Sequence, residues 1–138
     1  MKTVLVFGTF DFLHIGHLHL FKEAKKYGNV LIVLLARDEI IKKLKGKFPI
    51  HTEQERKELL TQFKIIDEVK LGDDKLETYT LLRNIMPDVV VFGYDQIELK
   101  QSLKKFLKKN NLNIELTTID LYGNGDRKSS TIKQVLNI

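Results

Sequence analysis

The stretch VLVFGTFDFLHIGHLHLFKEAKKYG, residues 4–28, joins a short apolar run to an amphipathic helical pattern. The run Val4–Phe7 is typical of a strand that is buried on both faces, and it ends at Gly8. The segment His17–Tyr27 follows with apolar side chains at helical spacing, and Gly28 is a common helix stop. The stretch therefore predicts a strand, a turn and a helix, with histidines where the helix begins.

The same alternation of short apolar runs and amphipathic segments continues along the chain. Runs rich in Val and Ile predict strands, and capping signals or proline mark helix ends. Alternating strands and helices indicate a parallel sheet. We predict an α/β fold with a Rossmann-like open five-stranded parallel sheet and helices on both faces, forming one domain over residues 1–138. The predicted strands are Thr3–Phe7, Val30–Leu35, Ile65–Leu71, Asp88–Phe92 and Asn113–Ile119. The predicted helices are His17–Tyr27, a short one that runs into a loop within Ala36–His51, one that opens with the capping box Thr52–Glu55, Leu76–Ile85, Gln96–Lys109 and Ser129–Leu136.

The composition is that of a globular protein, with 43% hydrophobic and 30% charged residues. No apolar run approaches the roughly 20 residues that span a bilayer, so we expect no membrane partner. Because the sequence has no cysteine, disulfides and thiolate chemistry are excluded, and a cytoplasmic protein is the default expectation. The net charge of +5 favours anionic ligands. Nucleic acid is not favoured, because no surface motif interleaves aromatic and basic residues.

The strand pattern also predicts where a ligand should bind. In an open parallel sheet, ligands lie beyond the carboxyl ends of the strands, where the strand order reverses. Segments rich in small, polar or basic residues follow four of the predicted strands. They are Gly8–His17, Ala36–Lys47, Gly93–Gln96 and Tyr122–Thr131.

The first of these segments has the features of a phosphate cradle. Gly8 would let the backbone leave the strand in a conformation that other residues avoid, and would let a ligand approach. Thr9 and Phe10 would offer backbone N–H groups to an anion. Gly16 would leave room for a ligand against the first helical turn, where unpaired N–H groups and the helix dipole attract phosphate.

The histidines of this segment have two functional interpretations. His14 and His17, at i and i+3, share one face of the helix start. Imidazole donors there could stabilise charge on a phosphate oxygen. Zinc is the alternative, but zinc takes three or four ligands and Asp11 is the one further candidate. His19 lies off the shared face, and we expect it on the surface.

The segment GTFDFLHIGH, residues 8–17, closely resembles the signature of the cytidylyltransferase-like nucleotidyltransferases, in which Gly-Thr-Phe-Asp precedes His-x-Gly-His. Class I aminoacyl-tRNA synthetases share His-Ile-Gly-His, but they also need a Lys-Met-Ser-Lys-Ser loop, which is not found in this sequence. The similarity to the first family extends to ARDE (36–39), KGKFP (45–49), ERKELL (55–60), DVVVFGYDQ (88–96) and SSTIK (129–133).

The resemblance implies transfer of a nucleotidyl group from a nucleoside triphosphate to a phosphorylated small molecule, with release of pyrophosphate. An acceptor oxygen attacks the α-phosphorus in line, so the protein mainly positions the reactants and stabilises charge. His14 and His17 would bind the triphosphate and stabilise the transition state. The backbone of Thr9 and Phe10 would hold phosphate oxygens. Asp11 would shape the turn and could lie near the Mg²⁺ that accompanies the nucleotide.

The resemblance also assigns basic and hydroxyl-bearing residues to phosphate. Lys45 and Lys47 would grip the substrate or the leaving group, and the sequence does not separate them from Lys42 and Lys43. Arg56 would reach the acceptor phosphate. Asp95 would contact the nucleotide or cap the next helix. Members of the family are commonly dimers, so we expect a homodimer. The implied nucleotide contacts in the later segments are Gly93, Asp95, Arg127, Ser129, Ser130 and Thr131.

Two branches of the family share further segments with this chain. Glycerol-3-phosphate cytidylyltransferases carry the same signature, but GNGDRKSSTIK (123–133) lacks the Thr-Glu-Gly-Ile part of their Arg-Thr-Glu-Gly-Ile-Ser-Thr-Thr element. ARDE, KGKFP and GYDQ are more similar to the archaeal-type FAD synthases, which adenylylate FMN with ATP. ATP and FMN are therefore favoured over CTP and glycerol 3-phosphate. A non-catalytic nucleotide- or nucleic-acid-binding protein is the alternative from another functional class.

Overall fold

The computed structural model describes residues 1–119, which form five strands and five helices. Within this range no helix has the length and apolarity needed to cross a membrane. The predicted helix Ser129–Leu136 lies outside the described residues. The strands are β1 (Thr3–Gly8), β2 (Val30–Leu35), β3 (Glu68–Leu71), β4 (Val89–Phe92) and β5 (Glu115–Thr118); the helices are α1 (Ile15–Lys25), α2 (Asp38–Lys45), α3 (Glu53–Thr61), α4 (Thr80–Ile85) and α5 (Ile97–Lys109).

The strands form one sheet in the order β3-β2-β1-β4-β5, and every neighbouring pair is parallel. This arrangement confirms the predicted five-stranded parallel α/β fold. The strand order reverses between β1 and β4, which is the place where ligands bind in such sheets. The pairing of these two strands ends at Leu5 and Val90, before the strands themselves end at Gly8 and Phe92.

The core consists of two apolar clusters on opposite faces of the sheet, because alternate residues of a strand point to opposite sides. Val4 packs in one cluster with Phe21 of α1 and Leu60 of α3. Leu5 packs in the other with Leu103 of α5. All five side chains are fully buried, and each such burial contributes about 1.5–3 kcal/mol before entropy is counted. Helices cover both faces, as predicted.

The start of α4 differs from the sequence-based prediction. We expected the helix from Leu76, but it begins at Thr80. The Asp73 carboxylate accepts the backbone N–H groups of Thr80 at 2.6 Å and Leu81 at 3.1 Å. These bonds satisfy donors that a helix start leaves unpaired, so the helix begins where Asp73 can reach it. Residues 73–79 consequently form a loop beside the carboxyl ends of the strands.

Candidate active site

The segments that follow β1, β2 and β4 meet at one edge of the sheet and enclose a cavity of about 720 Å³, here called the first cavity. Three of the four predicted ligand segments therefore converge. The fourth, Tyr122–Thr131, lies outside the described residues, as do the expected contacts Arg127, Ser129, Ser130 and Thr131. The first cavity is lined by residues 7–12, His14, Gly16, His17, His19, Leu20, Lys45, residues 93–99 and Ile119.

His14 and His17 form a capping box at the start of α1, with imidazoles in place of the usual hydroxyl and carboxylate. His14 is the N-cap, and its Nδ1 accepts the backbone N–H of Gly16 at 3.1 Å. The backbone N–H of His14 in turn donates to Nδ1 of His17 at 3.3 Å. The two rings stack with their centroids 3.8 Å apart. Helix capping therefore fixes the orientation of both rings.

This capping arrangement also assigns the tautomer. A ring nitrogen that accepts an N–H bond carries no proton, so each neutral imidazole holds its proton on Nε2. Burial and, to a smaller extent, the neighbouring His14 together lower the pKa of His17 to about 4. Burial also lowers the pKa of His14, with Asp95 acting in the opposite direction. At neutral pH both residues are uncharged, and each has an Nε2–H donor left over at the first cavity.

Phe10 packs against His17 of the histidine pair, and its position explains why residue 8 is glycine. Phe10 has the left-handed φ of 51°, and its ring packs edge-on against His17 with centroids 5.1 Å apart. A Cβ on Gly8 would lie 2.4 Å from that ring. The unusual backbone expected at Gly8 was wrong, since the left-handed φ belongs to Phe10, whereas the approach of a ligand to Gly8, which lines the first cavity, remains a prediction. Gly8 is needed because it leaves space for the Phe10 side chain.

Asp11 links the loop between β1 and α1 to the segment before α3 by hydrogen bonds. Its carboxylate accepts the backbone N–H groups of Ile50 and His51, each at 2.8 Å. Nδ1 of His51 lies 2.8 Å from the Asp11 carbonyl oxygen. Burial alone would raise the pKa of Asp11, but the bonds from His51 and Ile50 outweigh it and hold the pKa below its usual value. His51 was missed at the sequence level, because its partner lies 40 residues earlier.

Arg56 does not occupy the position expected of a phosphate ligand. Its side chain is 0% exposed and forms an ion pair with Asp38 at 2.6 Å. Its remaining bonds go to backbone carbonyls at 2.8–3.0 Å, so the guanidinium joins the loops after β1 and β2 to the start of α3. The assignment to the acceptor phosphate was wrong for this structure, because its donors are used inside the protein. The three carbonyls belong to Thr9, Ala36 and His51.

The other predicted residues divide into those at the first cavity and those elsewhere. Lys45 lines the cavity, whereas Lys42 donates to the Gly46 carbonyl at 3.0 Å; Lys43 and Lys47 are exposed. His19 was expected on the surface, but it is half-buried and lines the cavity. Residues 1–119 contain no group of three or more His, Cys, Asp or Glu side chains that could hold a metal ion.

Gln96 connects the two strands at the point where the sheet order reverses. Its Oε1 accepts the backbone N–H of Gly93 at 2.9 Å, and its Nε2 donates to the Phe7 carbonyl at 2.9 Å. Gln96 is also the N-cap of α5, with no side-chain capping bond. Asp95 lines the first cavity and is not the N-cap that we considered. The bridging role of Gln96 was not predictable locally, because one of its two partners, Phe7, lies 89 residues earlier.

The site brings together neutral N–H donors, a loop backbone and a lysine around an open cavity at the switch point. Such donors stabilise negative charge that develops on phosphate oxygens, and they need no reorganisation when it forms. The arrangement therefore suits phosphoryl or nucleotidyl chemistry.

Comparison with known proteins agrees with this chemistry. The family model described as cytidylyltransferase-like matches residues 5–135. A protein named FAD synthase from Thermococcus sibiricus is 37% identical over 132 residues, covering 95% of this chain and 89% of the relative. The FAD synthase of Thermoplasma acidophilum is 36% identical over 141 residues, covering 100% of this chain and 96% of the relative.

Solved structures show the same fold. The lipopolysaccharide core biosynthesis protein of Thermoplasma volcanium has a TM-score of 0.80 and 34% identity, covering 88% of this chain and 98% of its own. A protein of unknown function from Archaeoglobus fulgidus, 17% identical, matches with a TM-score of 0.71 and covers 93% of this chain and 95% of its own. From the fold, the signature segment and the matched relatives, the chain belongs to the cytidylyltransferase-like family and is a nucleotidyltransferase.

Proposed function

We propose that this protein transfers the adenylyl group of ATP to FMN and so makes FAD. An oxygen of the FMN phosphate bonds to the α-phosphorus of ATP, the bond from that phosphorus to the bridging oxygen breaks, and pyrophosphate leaves. The histidine pair carries the chemical part of the proposal, because two fixed Nε2–H donors line the first cavity. The names of the relatives, FAD synthase at 36–39% identity, support the substrates.

Each group at the site has a role in this reaction. His14 and His17 donate to oxygens of the α-phosphate, where charge shifts as the new bond forms. The phosphates are held against the start of α1 by the backbone of Thr9 and Phe10 and by the first helical turn, which contains Gly16. A neutral imidazole can fill this role because its protonated ring nitrogen is a hydrogen-bond donor.

Other groups serve the leaving group and the nucleotide. Lys45 neutralises charge on the departing pyrophosphate, and Mg²⁺ enters with ATP as part of the substrate. Gly93 and Asp95 contact the nucleoside, and Arg127, Ser129, Ser130 and Thr131 contribute further phosphate contacts. A homodimer and a cytoplasmic location remain predictions from the sequence.

Transfer of a cytidylyl group from CTP to glycerol 3-phosphate is the second candidate, since that branch shares the pattern GTFD-LH-GH that residues 8–17 contain. A binding protein without catalysis is the third. The two transferase candidates use the same chemistry at the first cavity, and they differ in the nucleotide and in the acceptor.

Pyrophosphate release separates these candidates. We would measure it for ATP and CTP against FMN, glycerol 3-phosphate and a blank, each with Mg²⁺, and use the His17→Ala protein to detect contaminating activity. The proposal predicts release with ATP and FMN together, with FAD as the second product. Release with CTP and glycerol 3-phosphate would replace it by the second candidate. No release in any combination would contradict both transferase candidates and favour the third.

A further inference from the structure

The strands β1 and β4 separate where the first cavity opens. Their pairing ends at Leu5 and Val90. On their other sides, β1 stays paired with β2 as far as Gly8, and β4 stays paired with β5 as far as Phe92. The hydrogen bonds of the sheet therefore do not set the distance between the loops that follow these two strands.

Both of these loops line the first cavity. The loop after β1, residues 9–12 and here called the phosphate loop, carries backbone groups proposed to hold phosphate. The loop after β4, residues 93–95 and here called the nucleoside loop, carries groups proposed to contact the nucleoside. A nucleotide that uses both loops must span the opening between them. The spacing of the loops therefore matters for catalysis, since a misplacement of about 1 Å can lower a rate on the order of 10²-fold.

The Gln96 side chain crosses this opening. Its Nε2 donates to the Phe7 carbonyl near the end of β1 at 2.9 Å, and its Oε1 accepts the Gly93 N–H at 2.9 Å. The backbone N–H of Gln96 also donates to the Gly93 carbonyl at 3.2 Å, so both polar backbone groups of Gly93 are bonded to one residue. Because an N–H only donates and a carbonyl only accepts, these partners also fix which way the amide points.

The backbone of Gln96 is held by α5. Gln96 is the N-cap of this helix, and its carbonyl accepts the N–H of Lys100 at 3.0 Å. The helix packs on the sheet through Leu103 and Leu107, which are buried in the same apolar cluster as Leu5 of β1. The amide of Gln96 is therefore a link between a packed helix and the ends of both strands, formed by the protein alone.

We propose that Gln96 is a positioning residue of nucleotidyl transfer, whose amide holds the phosphate loop and the nucleoside loop at the spacing that one bound nucleotide needs. This inference rests on the proposed function for the division of contacts between the two loops, and it applies whichever acceptor is used. Glutamine suits the role because one planar group supplies both a donor and an acceptor. An ionised glutamate is an acceptor only, and methionine, which has a similar length, has no donor.

Matched substitutions on α5 test this role in the full chain. Gln96→Met removes both side-chain bonds, and Gln101→Met makes the same change at an exposed position that does not line the first cavity. We would measure kcat and the KM for ATP by pyrophosphate release, the Kd for magnesium tripolyphosphate by calorimetry, and the folded fraction at the assay temperature by circular dichroism.

The positioning role predicts a loss of turnover without a loss of phosphate binding. Gln96→Met should lower kcat about ten- to hundredfold, because the reacting groups are no longer aligned. Tripolyphosphate has no nucleoside and uses the phosphate loop alone, so its Kd should change less than about twofold. Gln101→Met should resemble the wild type in every measurement.

Several results would overturn the positioning role. One is a folded Gln96→Met protein with the kcat of Gln101→Met. Another is an unchanged kcat with a raised KM for ATP, because Gln96 would then be a ligand contact. A third is tripolyphosphate binding that weakens together with kcat, because the phosphate loop itself would then be damaged.

A second variant decides the matter if Gln96→Met does not fold. In Gln96→Glu the ionised carboxylate can still accept from Gly93 but cannot donate to Phe7. Its kcat at saturating ATP should fall about tenfold or more, and a wild-type kcat would contradict the role. These outcomes are separate from the proposed function: a wild type that releases no pyrophosphate with any acceptor ends both, whereas an active wild type with a fully active Gln96→Met or Gln96→Glu ends only the role of Gln96.

Discussion

The histidine pair, His14 and His17, and the buried Arg56 lie at the same edge of the sheet, but they differ in whether a donor is left for a ligand. Each imidazole uses one nitrogen for helix capping and keeps the other for the first cavity. Arg56 is fully buried and uses its Nε and both terminal nitrogens on protein acceptors. A residue type that suits phosphate becomes a phosphate ligand only where the fold leaves a donor unused.

The largest expected effect is on stability, from Arg56→Met. The substitution removes the Arg56 donor from one Asp38 oxygen and from three backbone carbonyls. Breaking a buried ion pair by removing one partner costs about 3–5 kcal/mol, and we expect the lower end of that range because the Asp38 side chain is 25% exposed. Urea unfolding should show that loss, and Lys64→Met, which removes an exposed cation, should change the free energy of unfolding by less than about 0.5 kcal/mol. A stable Arg56→Met protein with a raised KM for the acceptor would return Arg56 to the role of phosphate ligand.

Substitution of His17 should have the opposite effect to that of Arg56: a large loss of activity and a small loss of stability. His17→Ala removes a donor aimed at developing charge, so kcat should fall at least about a hundredfold. The lost capping contact should lower the free energy of unfolding by only about 1 kcal/mol. Steady-state pyrophosphate release and thermal unfolding of the same preparation measure both quantities. Lys22→Ala, on the exposed side of α1, is the control, and a kcat of His17→Ala close to that of Lys22→Ala would contradict the role of His17.

The fold was predictable from the sequence to a greater extent than the site. Local periodicity sufficed for the parallel sheet and its helices, because buried strands and amphipathic helices carry their pattern within a few residues. The start of α4 was not predictable in this way, since Asp73 sets it from seven residues before Thr80. The histidine pair was predictable because its spacing is local. The buried position of Arg56 was not, because one of its partners, Thr9, is 47 residues away.

A cavity of about 430 Å³ beside the first cavity shows the same limit. Its walls come from β2, α2, α4, α5 and the 73–79 loop, so no single segment of sequence contains a signal for it. Sequence alone identified the chemistry through GTFDFLHIGH and favoured FMN by resemblance.

The central claim is that His17 is a neutral imidazole that presents Nε2–H to the reacting phosphate, and ¹⁵N NMR of its ring tests this most directly. The folded-state pKa of about 4 lies below the unfolded value of about 6.5. The unfolded chain therefore binds more protons between these values, and the contribution of His17 to stability declines as the pH falls from about 6.5 to about 4. In the upper part of that interval, above about pH 5, where a group of pKa about 4 is mostly neutral, the spectrum of the folded chain should show a protonated Nε2 and an unprotonated Nδ1. A ring that titrates near pH 6.5, or that carries its proton on Nδ1, would contradict the claim.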